Sequence, residues 1–333
     1  MDNYIKPKVS VVVPIYNRES VIQLCIHSLF KQTLSDLEYI FVDDGSKDRS
    51  IEVLKKIIIK YPDRKNCVKI IYQPENRGVA AARQIGIEHA TGEYIIHCDT
   101  DDWIDLNTYE LLYNKAKQED ADIVGCDIRH EYPDYHQDLH QHYADTLEEN
   151  IRNLLEGTIF PSLCTSLTRR SLITENGITF PEGLNIAEDL LFNFQLYLKA
   201  KKITGISVPC YHYTHTKISV SEHEHTALSI FSCSEVGRRI DILARQAGYG
   251  KKFAKEIAFR KFTLKYNLIR HYKAGEDYDN WLNISPDTHK YIWKFTQYDK
   301  KQRLMLWFAA HKMLPLASAL NNLLLWQNKI RRP

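Results

Sequence analysis

The stretch Glu93–Trp103, EYIIHCDTDDW, decides how the chain is read. Tyr94, Ile95 and Ile96 form a short apolar run after the turn pair Thr91-Gly92, and three carboxylates, Asp99, Asp101 and Asp102, follow at once. A buried strand that runs straight into like charges is unfavourable unless a cation compensates them, because repulsion and desolvation both oppose ionised carboxylates. Hard divalent cations such as Mg2+ and Mn2+ take oxygen ligands, commonly one or two carboxylates completed by phosphate oxygens. In an open α/β sheet, ligands collect at the carboxyl ends of the strands. The stretch therefore reads as a strand end that holds a metal and a diphosphate, with a solvated Asp-rich turn as the plain alternative.

The flanking sequence repeats the pattern. Val9–Pro14, VSVVVP, is a β-branched run closed by proline, as expected of a strand buried on both faces. Apolar residues at helical spacing fill Ser20–Phe30, a second strand covers Tyr39–Val42, and a second helix covers Asp48–Lys60. Val68–Tyr72 is a third strand and Gly78–Ala90 a third helix. Leu106–Gln118 then reads as a helix and Ala121–Asp127 as a strand. Alternating strands and helices joined by short connections predict βαβ units and a mostly parallel sheet. Ile128–His142 loses the pattern and reads as a mobile loop or a hairpin, Leu147–Leu155 as a helix, and 160–171 is ambiguous. A helix headed by Glu188-Asp189 and a strand over Ile203–Tyr213 follow, and beyond about Ser221 the signals are helical. The expected organisation is an α/β domain over 1–220 and a helical region over 221–333.

Composition bounds the function. The chain has 333 residues, 44% of them apolar, and a net charge of +2, so no global field argues for nucleic acid. Charge is uneven: 97–157 is strongly acidic, as suits a cation-loaded site, and 251–273 is strongly basic, as suits an anionic surface. Seven cysteines without a CxxC pair indicate neither a disulfide framework nor a zinc site, and their apolar settings suggest buried thiols in a reducing compartment. The opening MDNYIKPK carries no apolar signal core, and no uncharged apolar run is long enough to span a bilayer. The expected setting is cytoplasmic.

Each early strand ends in a polar cluster on the same predicted sheet edge: Pro14-Ile15-Tyr16-Asn17, Asp43-Asp44-Gly45-Ser46, Glu75-Asn76-Arg77-Gly78 and Asp99-Thr100-Asp101-Asp102. Such an edge can accept from a base N–H, admit a backbone closely at glycine and neutralise phosphate with arginine. The ordered motifs PIYN, VDDGSKD, NRGVAAAR, DTDD and AEDLLF resemble those of the family 2 glycosyltransferases, inverting enzymes with the type A (GT-A) fold. The resemblance covers roughly residues 8–220 and implies sugar transfer from a nucleotide diphosphate donor, UDP-linked, to a glycan hydroxyl in bacterial surface-polysaccharide assembly. By position it implies that Pro14, Tyr16 and Asn17 form the first nucleotide loop, that Asp43 or Asp44 holds the base, and that Arg77 or Arg83 lies near the donor. It places Asp99 and Thr100 at the ribose or donor sugar and Asp101 on Mn2+ or Mg2+. Asp189 becomes the base that takes the acceptor proton, with Glu188 and Asp102 either beside the acceptor or supporting the residues that touch it. Asp102 could equally cap the helix after Trp103, Asp189 could cap its own helix, and Arg83 could be a structural ion pair.

In the same way the segment Cys210–Ser221 matches a loop that closes over the diphosphate, with His212 or His215 as further metal or phosphate ligands and Lys217 as a phosphate contact. One departure is Cys164-Thr165-Ser166-Leu167, where relatives carry a Trp-Asn-Lys-Leu-like run near the acceptor. In the C-terminal region, basic residues precede LMLWFAA and the uncharged run Met313–Trp326. That pattern suits helices lying on an anionic membrane with Trp307 and Trp326 at headgroup level, near a lipid-linked acceptor, or helices packed on the catalytic domain or a second copy of the chain. Rival readings are a GT-A-fold binding protein without catalysis and a sugar nucleotidyltransferase. A nicotinamide enzyme is disfavoured because GxGxxG is absent.

Overall fold

The computed structural model describes residues 6–184, 186–215, 227–270 and 276–330. It divides into two compact units, Met1–Glu224 and His225–Pro333.

The first unit is built on a nine-stranded sheet. Its strands are β1 (Val9–Ile15), β2 (Leu37–Asp43), β3 (Val68–Tyr72), β4 (Tyr94–His97), β5 (Trp103–Ile104), β6 (Ile123–Glu131), β7 (His136–Leu139), β8 (Ser166–Arg169) and β9 (Ile203–Thr214). The helices are α1 (Ile22–Phe30), α2 (Ser50–Ile58), α3 (Pro62–Lys65), α4 (Val79–His89), α5 (Thr108–Glu119), α6 (Leu147–Glu156), α7 (Arg170–Glu175) and α8 (Glu188–Lys199). The sheet order is β3-β2-β1-β4-β8-β6-β9-β5, with β7 paired to β6. Pairing is parallel from β3 to β4, as the alternating pattern predicts, and mixed beyond. Every residue of β2 is buried and β1 is nearly so, which is why both read as unbroken apolar runs.

Register brings the parallel strands to a common edge. Ile15 lies beside Asp43, Val12 beside His97, and Asp43 beside Tyr72. The loops that follow these residues therefore share one side of the sheet. Helix α4 sits unusually close to β1: a Cβ on Gly86 would fall 2.2 Å from Val12 Cγ1. Only glycine allows that approach, which seats α4 and the Arg83 it carries against the sheet. The segment Ile128–His142 is a hairpin: β6 continues to Glu131 and β7 returns, fastened by the Arg129–Asp138 ion pair.

The second unit is helical: α9 (Ala227–Gln246), α10 (Ala254–Arg270), α11 (Glu276–Asn283), a 3₁₀ helix over Pro286–Lys294, α12 (Lys300–Ala310) and α13 (Leu314–Ile330). Its core gathers Phe262, Trp281, Ile292, Phe295, Met305 and Leu306. Asp299 and Gln302 form a reciprocal capping box that starts α12.

Lys265 is fully buried in this core. Its ammonium donates to the carbonyls of Trp281 (3.1 Å) and Ile284 (2.5 Å) and lies 2.7 Å from His289 Nε2. Burial pushes it down to about 7 from 10.5. A folded-state value below the unfolded one means that stability rises with pH between these two values and is forfeited as pH falls through about 7. The thermal midpoint of the wild type should therefore climb relative to that of Lys265→Met between pH 7 and 9, by up to about 1.4 kcal/mol of stability per pH unit. Parallel midpoints across that range would reject the assignment.

Candidate active site

At the carboxyl edge, the first two loops are tied to each other. Asn17 adopts a left-handed backbone (φ 52°). Its amide N–H donates to Ser46 Oγ (3.2 Å), and its Oδ1 accepts from the Lys47 N–H (2.8 Å). Asn17 thus shapes the loop after β2. Tyr16 is exposed beside it rather than packed under the sheet, and Pro14 is half-buried in β1.

The two aspartates after β2 have different duties. Asp44 is buried and accepts from Gln73 Nε2 (2.8 Å), the Arg77 N–H (2.8 Å) and the Gly78 N–H (2.9 Å), clamping the loop that leads into α4. Burial pushes its carboxyl up, against the pull of the two backbone N–H groups. Asp43 accepts the Ser46 N–H (3.0 Å) through Oδ1, and its other oxygen has no hydrogen-bond partner among the described residues. Gly45 permits the loops to meet, since a Cβ there would lie 2.7 Å from the Glu75 carbonyl carbon. Arg77 is held only through its backbone, and its side chain is exposed.

The last strand end is organised by Arg83. Its guanidinium donates to Asp99 Oδ1 (2.8 Å) and Glu188 Oε1 (2.9 Å), joining β4 to the start of α8. Burial pushes Asp99 up, but Arg83 and the Cys164 thiol beside it outweigh that and hold it below the usual carboxylate range. Burial and the Asp189 charge together push Glu188 up to about 7. Asp101 makes no hydrogen bond to another residue among the described ones. Burial and the neighbouring Asp99 push its carboxyl up, with Arg18 pulling the other way. Thr100 is buried between the two aspartates.

Asp102 is not a helix cap. It is buried, and it accepts the Tyr211 hydroxyl (2.5 Å) and the Thr214 N–H (2.8 Å), pinning the motif to β9. Asp189 lies in the first turn of α8, where its Oδ1 accepts the Leu190 N–H (2.7 Å). The residue preceding the helix is Ala187 in a left-handed conformation, so neither acid occupies the N-cap position.

The two histidines are placed in protein contacts. His212 is buried, with Nδ1 on Glu131 (2.7 Å), Nε2 on Asp105 (3.2 Å) and its ring stacked on Trp103 at 3.4 Å. Both of its nitrogens already face carboxylates of the protein. His215 Nε2 lies 2.9 Å from His130 Nδ1. Lys217 lies outside the described residues. No group of three or more metal-binding side chains is assembled among the described residues.

Sequence reasoning missed Tyr211 and Trp103 as members of this edge, while Cys164, read as a departure near the acceptor, lies beside Asp99. Tyr211 had a signal in the alternating aromatics of CYHYTH; Trp103 depends on pairing across strands. The comparisons agree with the fold. The chain is 36% identical over 214 residues to the putative glycosyltransferase EpsH of Bacillus subtilis, a match covering 62% of this chain but only 60% of that protein. It is 30% identical over 291 residues to the cholesterol galactosyltransferase of Borreliella burgdorferi, covering 80% and 75% of the two chains. The crystal structure of S. aureus TarS 1-349 in complex with UDP-GlcNAc superposes with a TM-score of 0.74 at 24% identity, over 95% of this chain and 90% of that one. That likeness shows the GT-A fold. Residues 10–177 match the family described as Glycosyl transferase family 2. With that match over the sheet and its polar edge, the chain belongs to glycosyl transferase family 2.

Proposed function

We propose that the chain transfers a sugar from a UDP-linked donor to a hydroxyl of a glycan acceptor, with inversion, during assembly of a bacterial surface polysaccharide. The observation that carries this reading is the Asp99–Arg83–Glu188 bridge. It joins the carboxylate edge to the start of α8, which supports a shared site for Asp189 and Asp101. The TarS structure, solved with UDP-GlcNAc, supports a UDP-linked donor.

This reading gives each residue of the edge a role. Asp43, with its unpaired oxygen, would accept from the base, while Asp44 holds the loop. Asp189 takes the proton of the acceptor hydroxyl as its oxygen attacks the anomeric carbon and the bond to the leaving phosphate breaks. Asp99 and Asp101 offer only oxygens, and Asp101 is a partly buried carboxylate with no hydrogen bond to another of the described residues. That donor set fits Mg2+ or Mn2+ completed by diphosphate oxygens and water. When bound, the ion would neutralise charge developing on the leaving diphosphate. The rival reading, a binding protein without catalysis, would bind nucleotide and release none.

The test is release of UDP from a panel of UDP-sugars with Mn2+ present. Mn2+ should tighten UDP binding by about tenfold in the wild type and little in Asp101→Ala, and a chelator should mimic the variant. Equal affinity in all three conditions would remove the metal from the reading, and no UDP release from any donor would favour the binding protein.

The proposal extends to peripheral attachment on an anionic membrane through α12 and α13. No helix among the described residues is long and apolar enough to cross a membrane. Trp307 is turned against the helical core rather than outward, and the side chain of Trp326 lies outside the described residues. The outward apolar residues are instead Leu304, Met313, Leu316 and Leu323, with Lys300, Lys301 and Lys312 exposed nearby. A truncation at Asp299 would remove Met305 and Leu306 from the core, so point variants are the cleaner probe. The full chain should float with anionic vesicles in low salt, and Leu316→Glu/Leu323→Glu should float several-fold less at an unchanged thermal midpoint. If both float equally or neither floats, the face belongs to another partner, such as a second copy.

A further inference from the structure

The tip of the β6–β7 hairpin carries a built aromatic surface that the donor site does not use. The Tyr132 N–H donates to the Tyr135 carbonyl at 2.9 Å, closing the turn. The two rings are stacked at 4.5 Å, 13° from parallel. Tyr132 is also stacked on His215, at 4.1 Å and 5°. His130 holds His215 through the ring nitrogens at 2.9 Å, and Tyr213 meets both imidazoles at steep angles.

A row of aromatic side chains links this surface to the carboxylate edge through the core. Strand alternation puts Tyr211 and Tyr213 on one face of β9, His215 follows in step just past its end with its N–H on the Glu131 carbonyl, and register sets His130 beside Tyr213 and Ile128 beside Tyr211. The row begins at the Tyr211 hydroxyl, which donates to Asp102, and reaches His215 after about 13 Å of strand. That is the reach of a short oligosaccharide. The row starts inside the core and emerges at Tyr135, which is 55% exposed.

Fastening the hairpin does not account for these rings, because the two-pronged Arg129–Asp138 pair already ties β6 to β7 at 2.7 and 3.0 Å. A flat, exposed aromatic face attracts the C–H groups on one side of a pyranose, since the ring face carries partial negative charge. Polar side chains around it, Asp134, His136 and Gln137, are exposed and can meet the sugar hydroxyls. We propose that the outer face of Tyr135, backed by Tyr132 and His215, is the surface on which a pyranose unit of the acceptor glycan lies while the chain end reaches the carboxylate edge. The proposal rests on the reading of sugar transfer above.

Native electrophoresis of the full chain through gels cast with dextran, hydroxyethyl cellulose or galactomannan tests it. At least one of the three should retard the wild type. Tyr135→Ala should raise the apparent Kd for that polymer by about tenfold, with an unchanged thermal midpoint, while Tyr135→Phe, which keeps the ring face, should bind like the wild type. Retardation of the wild type in none of the gels, equal retardation of Tyr135→Ala, or equal loss in both variants would overturn the platform. UDP release by the wild type is measured alongside. A chain that binds polymer but releases no UDP overturns the sugar-transfer reading instead.

Discussion

Asp189→Asn should lower kcat for sugar transfer by about 10²–10⁴, the usual contribution of a general base, with little change in UDP affinity. The substitution is mild in every other respect. Asn keeps the size of the side chain, and its Oδ1 can still accept the Leu190 N–H that Asp189 accepts at 2.7 Å. Helix α8 therefore starts as before, and Glu188 keeps its place on Arg83. On the proposed reading, what is lost is the group that takes a proton from the acceptor hydroxyl. Steady-state kinetics with saturating donor, together with UDP titration, separates the two effects. Near-normal turnover would return Asp189 to a purely local role at the start of its helix.

Arg83→Met should cost about 3–5 kcal/mol, the range for removing one partner of a buried ionic network. For a unit of this size, that lowers the thermal midpoint by roughly 10 °C. The methionine fills much of the space but leaves Glu188 buried without its cation and still facing the Asp189 charge. The loss should grow with pH. Glu188 already sits at about 7, raised by burial and Asp189 with Arg83 pulling it down. A carboxylic acid raised in the folded state forfeits stability as pH rises through its folded value, and without Arg83 that value moves higher. Scanning calorimetry at pH 6 and pH 8 should find the variant further below the wild type at pH 8. A midpoint within a degree of the wild type at both would mean that Arg83 is dispensable to the fold.

The parallel strands β1, β2 and β4 were legible because they are buried almost throughout, so an apolar run, closed in β1 by a proline and in β2 by an Asp-Gly pair, suffices to mark them. Strands β5 and β8 were not, since two to four residues carry no period of their own and exist only through pairing with β9, β4 and β6. The hairpin at 128–142 hid for another reason: Arg129 and Asp138 are held by each other rather than by a core, so hydrophobic alternation fails there. Within the site, sequence could name Asp43 and Asp44 but not divide their work. Both are buried, and only the return of the loop through Arg77 and Gly78 commits Asp44 to the scaffold. His212 looked like a ligand in a His-rich run; its place between Glu131 and Asp105 is a product of three separate elements. The helical character of the C-terminal unit was readable, whereas the inward turn of Trp307 depends on how α12 meets its neighbours.

Gly86 has a bearing on how this edge could change over evolution. The guanidinium that organises Asp99 and Glu188 rides on α4, and the height of α4 above β1 is set by bare contact between Gly86 and Val12. A methyl group added there would lift the helix about one turn from Arg83 without touching any polar residue. The charge network can therefore be detuned by a neutral, distant substitution, and compensated by an equally neutral one, such as a smaller side chain at position 12. Such paired changes in bulk would shift the Arg83 guanidinium while leaving every charged residue of the edge in place.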